Sequence, residues 1–236
     1  MAVAKIGSVT QQRVPAAISV TAYVDGFNLY HGMYEARRRR ALWLDLPGLL
    51  RSMLRPDQQL TAVHYFTALV TGPGRARQEQ YLQAAEAHGA GLLVPHVGRF
   101  QRKTVTCRVC RQPFNTFEEK ESDVSLAVQL VEDAAGGVFD QALIVSGDSE
   151  MAPAIHAVRR LRPDARLVAL FPPRRSSHQL EVLADATLRI FDRTPERHQL
   201  PEPRGHKRNA HRTPRLLALE RPWPIRNALP VPPDLN

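Results

Sequence analysis

The chain has 236 residues, 43% of them hydrophobic, with a formal charge of +9 and a pI near 10.2. That length suits one α/β domain of moderate size plus extra sequence, and no apolar run reaches the ~18 residues of a membrane span. Two cysteines only, Cys107 and Cys110, argue against a disulfide scaffold and fit a reducing cytoplasm.

Met1 to about residue 16 carries Lys5 and Arg13 but no apolar block beside a cleavage site, so it reads as a flexible lead-in and not as a signal peptide. The positive charge calls for a polyanionic partner, most simply nucleic acid. A domain over 17–193 follows. Ile18 to Val24 is β-branched and apolar, as expected of a buried strand. Asp25 and Gly26 close it, and Leu29 to Arg40 reads as a helix. Its end, Arg37 to Arg40, is either a solvated helix terminus or a phosphate-binding patch. Gly26 suits a sharp turn, through either a positive φ or a close backbone approach.

Asp45 to Leu54 predicts a short helix, Leu60 to Val70 a second strand, Arg75 to His88 a helix and Leu92 to Val97 a third strand. Gly98 to Phe117 is polar, basic and interrupted by the cysteines, which predicts a hairpin-like excursion over 98–117. Glu119 to Ala135 returns to helix, with Val124, Ala127, Val128, Val131 and Ala135 as the expected apolar stripe. Ala142 to Val145 predicts a fourth strand, Met151 to Leu161 a helix, Arg166 to Phe171 a fifth strand, His178 to Ala184 a short helix, and Ala186 to Phe191 a sixth strand.

Strands alternating with helices imply right-handed crossovers and a mainly parallel sheet covered on both faces. Over 194–236 proline recurs without period, which predicts a disordered or extended tail. From Arg193 on there are nine Lys/Arg against four Asp/Glu, a surplus of five, so much of the net charge lies outside the domain.

Three carboxylates fall at comparable places. Asp25 follows the first strand, Asp148 follows the fourth within Ser146-Gly147-Asp148-Ser149-Glu150, and Asp123 opens the helix between. In an open parallel sheet, ligands bind beyond the carboxyl ends of the strands. Carboxylates ~5 Å apart repel by roughly 3 kcal/mol at an effective dielectric of ~20, so such a cluster needs a proton or a cation. Short oxygen-only donors suit Mg²⁺ or Mn²⁺ better than zinc. Asp123 as a helix N-cap and Asp25 or Asp148 as plain turn residues are the alternatives.

Val24-Asp25-Gly26-Phe27-Asn28-Leu29, Glu119-Lys120-Glu121-Ser122-Asp123-Val124 and Leu143 to Glu150 together resemble the NYN domain of the PIN-like nuclease superfamily, over roughly 18–192. The resemblance implies a three-layer α/β/α PIN-like fold and a metal-dependent ribonuclease acting on RNA. It implies Asp25, Asp123 and Asp148 as catalytic metal ligands, Asn28 as a supporting polar group, and Ser146 as a neighbour of the metal. Glu150 stands where the family often has a second Asp, which bears on a second metal position. Lys120 is placed to hold a phosphate or to pair with Glu121.

Cys107-x-x-Cys110 is half of a tetrahedral zinc site. Its completion needs His96 and another group, or a second copy in a homo-oligomer; free thiols are the alternative. Arg99, Arg102, Lys103, Arg108 and Arg111, interleaved with Phe100, Phe114 and Phe117, form a candidate grip for single-stranded RNA; a solvated loop is the alternative. A catalytically weak RNA-binding module on the same fold is the competing function. A haloacid-dehalogenase-type phosphatase would need an Asp two residues after Asp25, where Phe27 stands, and a Toprim-like site would reverse the Glu and Asp positions.

Overall fold

The computed structural model describes residues 17–36 and 41–201. The lead-in, Arg37 to Arg40 and the tail beyond Pro201 lie outside the described residues. The strands are β1 (Ile18–Asp25), β2 (Gln58–Ala68), β3 (Leu93–Thr106), β4 (Pro113–Lys120), β5 (Gln141–Val145), β6 (Arg166–Phe171) and β7 (Ala186–Arg189). The helices are α1 (Gly26–Glu35), α2 (Leu46–Arg51), α3 (Arg75–His88), α4 (Ser122–Ala135), α5 (Ala152–Leu161) and α6 (His178–Leu183). The sheet order is β4-β3-β2-β1-β5-β6-β7, parallel throughout except for the β3–β4 hairpin.

Side-chain alternation in the central strands explains the three layers. Val20, Ala22 and Val24 of β1 join Leu29, Met33, Leu49, Leu50 and Leu82 in one core. Tyr23 of the same strand joins Leu126, Leu130, Ile155, Val158 and Leu180 in the other. Helices α1 to α3 therefore cover one face and α4 to α6 the opposite one. The order reverses between β1 and β5, which opens a crevice at their carboxyl ends.

Three expectations need correction. The buried face of α4 is Ser122, Leu126, Leu130, Asp133 and Ala134, whereas Val124 and Val128 are 69% and 49% exposed. Two apolar stripes compete on this helix. The Tyr23 hydroxyl, which donates to Asp133 Oδ2 at 2.6 Å, belongs to the stripe that is buried.

The domain also runs past residue 193. Residues 194–197 form a 3-10 turn, Leu200 is buried, and its N–H donates to the Trp43 carbonyl at 2.9 Å. The excursion is an ordered hairpin in which Arg99 pairs with Lys120 and Thr106 with Pro113. Glu119 and Lys120 accordingly belong to β4, not to the helix. No helix among the described residues is long and apolar enough to cross a membrane.

Candidate metal centre

Asp25 ends β1 and caps α1. Its Oδ1 accepts the Asn28 backbone N–H at 2.9 Å, satisfying one of the amides that a helix start leaves unpaired. Gly26 is helical and has no positive φ; close approach is what requires it. A Cβ there would lie 2.7 Å from the Phe66 carbonyl oxygen and 2.8 Å from the Tyr65 ring.

The turn after β5 is tied to the turn after β1. Ser146 Oγ donates to Asp25 Oδ2 at 3.0 Å and accepts the Asp148 N–H at 3.0 Å, while Asn28 Oδ1 accepts the Gly147 N–H at 2.9 Å. Asp148 Oδ1 in turn accepts the Glu150 N–H at 3.0 Å. Asn28 and Ser146 thus act as positioning groups that join two strand ends 121 positions apart in sequence for the Ser146–Asp25 bond.

Asp123 arrives from the third direction. Glu121, at φ 83°, turns the chain sharply from β4 into α4 and places Asp123 in the first helical turn. One carboxylate oxygen each from Asp123, Asp148 and Glu150 lie within 4.8 Å of one another. This donor set of hard oxygens fits a divalent cation. The trio holds two of the expected aspartates, Asp123 and Asp148, together with Glu150.

Asp25 lies beside it, only 7% exposed. Burial pushes its carboxyl up to about 7; the charges of Asp123 and Asp148 push the same way, against the Asn28 N–H and the Ser146 hydroxyl. All three expected aspartates therefore share one electrostatic site, with Asp25 as its buried member.

Lys120 ends β4, two residues before α4. Arg99 pairs with Glu121 at 2.8 Å. Strand alternation puts Arg99 and Lys103 on one hairpin face and Phe100 and Arg102 on the other, so the basic residues do not form one surface. Phe100 meets Phe27 edge-on at 5.8 Å, which carries its face toward the crevice. Cys107 and Cys110 occupy the hairpin tip with Arg108 and Arg111. The N–H groups of Cys110 and Val109 and the Cys110 thiol lower the Cys107 pKa. His96 does not complete a zinc site with them. Its ring nitrogen lies 2.9 Å from that of His64, and a strand rising ~3.3 Å per residue carries the cysteines roughly 30 Å away.

Two features had no counterpart in the sequence reading. The loop after β6 packs Arg175 against Gly147, where an added Cβ would lie 2.9 Å from the Arg175 Cβ; the Arg175 guanidinium pairs with Glu35. A strand followed by Pro172-Pro173-Arg174-Arg175 was the available signal. The second is a pocket of about 90 Å³ on the α1–α3 side of Gly26, where Phe27, Tyr30, Tyr65 and Tyr81 join aliphatic side chains such as Leu42 and Val70 in the lining. Its aromatic walls carry no periodic signature, because they come from three elements.

The crevice at the strand-order reversal and its converging carboxylates define a doubly wound α/β protein with a candidate divalent-metal site. The NYN domain family model matches residues 19–190, and the chain belongs to that family, within the PIN-like nuclease superfamily. It is 27% identical over 184 residues to the 6-hydroxy-3-succinoylpyridine 3-monooxygenase HspA of Pseudomonas putida, a match covering 64% of this chain and 58% of that one. The chain thus spans less than two thirds of that relative's length. A crystal structure of a protein of unknown function from Vibrio parahaemolyticus shares the fold with a TM-score of 0.50 at 17% identity, covering 76% of this chain and 96% of the other.

Proposed function

We propose that this NYN domain is a divalent-metal-dependent ribonuclease that hydrolyses single-stranded RNA in the cytoplasm. The observation that carries the reading is the convergence of Asp123, Asp148 and Glu150 oxygens within 4.8 Å at the switch point of the sheet, beside buried Asp25. Asp25, Asp123 and Asp148, joined by Glu150, are the residues that would hold Mg²⁺ or Mn²⁺. Such an ion, when bound, neutralises charge on the phosphodiester and lowers the pKa of a water.

The chain's own groups do the rest. Ser146 and Asn28 fix both strand-end turns, so the carboxylates are held before substrate arrives. Arg102 of the hairpin, with Phe100 on the same face, leads RNA toward the crevice by charge and stacking; Lys103, Arg108 and Arg111 add charge to the rest of the hairpin.

Cleavage of a labelled single-stranded RNA with Mn²⁺ and with EDTA tests the reading. Asp123→Asn and Asp148→Asn should each lower cleavage about 100-fold or more, since even groups outside a metal's ligand shell cost 10–100-fold. Wild-type turnover in either folded variant defeats it. The competing module without turnover draws on Glu150 as a departure from the family pattern and on the basic tail; unchanged RNA binding in EDTA with no cleavage under any divalent metal would favour it. The Pseudomonas putida relative's name supplies a second reading, action on a small hydroxylated pyridine, which the aromatic-walled cavity favours. Tight binding of 6-hydroxy-3-succinoylpyridine with no RNA cleavage would bring that reading forward.

A further inference from the structure

The tip of the β3–β4 hairpin is built differently from the ribbon that carries it. Strand β3 pairs with β2 only as far as Gly98, and from Arg99 to Thr106 it pairs with β4. At ~3.3 Å per residue this two-stranded arm carries the tip roughly 25 Å past the last β2–β3 pair. A two-stranded ribbon is marginal by itself in water, so a tie at its end stabilises it.

At that end Cys107-Arg108-Val109-Cys110 closes a tight turn. The Arg111 N–H donates to the Cys107 carbonyl and the Cys107 N–H to the Gln112 carbonyl, each at 2.9 Å. Arg111 sits at φ 54°, a left-handed position that few residues other than glycine adopt. The turn aims the Val109 and Cys110 N–H groups at the Cys107 sulfur, and the Cys110 thiol donates to it as well. The two sulfurs therefore lie within hydrogen-bond reach of each other, with backbone amides placed to stabilise a thiolate. Thiolates are the ligands that zinc takes from cysteine. Cys110 is exposed, as is Val109 at 84%, so an ion and a partner can reach the pair.

Two thiolates fill half of a tetrahedral shell. No third His, Cys, Asp or Glu among the described residues gathers with them in a metal-holding group, so the other half comes from elsewhere. Charge distinguishes the sources. Arg108 and Arg111 flank the cysteines. A zinc with two thiolates and two neutral ligands has no net charge and leaves both arginines uncompensated. Four thiolates around one ion carry a net double negative charge, which the arginines of two tips offset.

We propose that Cys107 and Cys110 bind zinc together with the same pair from a second copy of this chain, joining two domains tip to tip. Each thiol releases its proton to solvent as its Zn–S bond forms. The shared ion staples both arms at their ends. The acidic trio takes no part, so failure of this proposal leaves the ribonuclease reading untouched.

The test titrates the full chain, reduced with a phosphine and held in excess Mg²⁺, with Co²⁺ as a coloured stand-in for zinc. A thiolate-to-cobalt charge-transfer band, which reports sulfur ligands and not carboxylates, should grow to an end point of one ion per two chains. Zn²⁺ should then bleach it. Sedimentation should show the mass doubling over the same titration, and EDTA should reverse both changes. Cys107→Ser and Cys110→Ser, at an exposed tip, should melt like the wild type, stay monomeric and lower cobalt affinity about 100-fold or more. Metal uptake through sulfur without a change in mass overturns the proposal. Loss of that uptake in a His206→Ala, His211→Ala double variant would then assign the remaining ligands to the same chain. A reduced chain without the charge-transfer band also overturns it, as does a mass that doubles equally in both cysteine variants.

Discussion

At the scale of single residues, Asp25 is a carboxyl buried beside other carboxylates. Its carboxyl moves from 3.8 to about 7 on folding, first because burial strips water from the ionised form and then because Asp123 and Asp148 repel it. The native state therefore keeps a proton that the unfolded chain releases near pH 4. Stability from this group is fully present below about pH 4 and is lost as the pH rises through about 7. A shift of this size corresponds to about 4 kcal/mol at the high-pH end. Asp25→Asn keeps the acceptor for the Asn28 N–H but carries no charge. In EDTA it should melt above the wild type at pH 8 and close to it at pH 4, with the gap opening between. Parallel wild-type and variant melting curves across that range would assign the pH dependence to other groups. Added Mn²⁺ should raise the wild-type melting temperature more at pH 8 than at pH 5, and should raise that of Asp25→Asn less.

At the scale of elements, α4 shows where sequence patterns decide and where they do not. Its two candidate stripes, Val124-Ala127-Val128-Val131 and Leu126-Leu130-Ala134, have almost the same period, and apolarity alone does not choose between them. The choice is made by partners distant in sequence: Tyr23 donating to Asp133, and Asp123 facing Asp25. Leu130→Ala should therefore cost about 2–5 kcal/mol as a fully buried deletion. Val128→Gln, on the half-exposed side, should stay within about 0.5 kcal/mol. Urea unfolding of the two variants checks the assignment, and a reversed order of cost would restore the valine face.

The same contrast marks the candidate site. Asp25, Asp123 and Asp148 were legible because each stands at a punctuation mark, a strand end or a helix start, that local pattern reveals. The resemblance supplied Glu150, Ser146 and Asn28, but the hydrogen bonds that Ser146 and Asn28 make and the approach of Arg175 to Gly147 depend on which strand ends become neighbours. No local window contains that information. The faces of the basic hairpin were missed for a different reason: composition places arginines in a segment, and only the pairing register sorts them.

At the scale of the whole molecule, alternating strands and helices predicted the layers, but the proline-rich composition placed the domain end too early. Residues 194–201 close the α1–α3 side. Leu200 enters the core, the His198 carbonyl accepts the Asp45 N–H at 3.0 Å, and the Pro201 carbonyl accepts the Trp43 indole N–H at 3.2 Å. Gln199 bridges to Leu44, which also lines the aromatic-walled cavity, so this short segment supports the cavity floor. Burying one leucine contributes about 2 kcal/mol, and each of the three backbone or indole hydrogen bonds about 1 kcal/mol. A chain ending at Arg193 should thus lose roughly 4–5 kcal/mol, which for a domain of this size lowers the melting temperature by about 10–20 °C. A chain ending at Pro201 keeps every one of these contacts and should melt within about 2 °C of the full chain. Thermal denaturation of the two truncations separates the alternatives: equal melting would return 194–201 to the tail. A loss confined to the shorter chain makes the segment part of the fold.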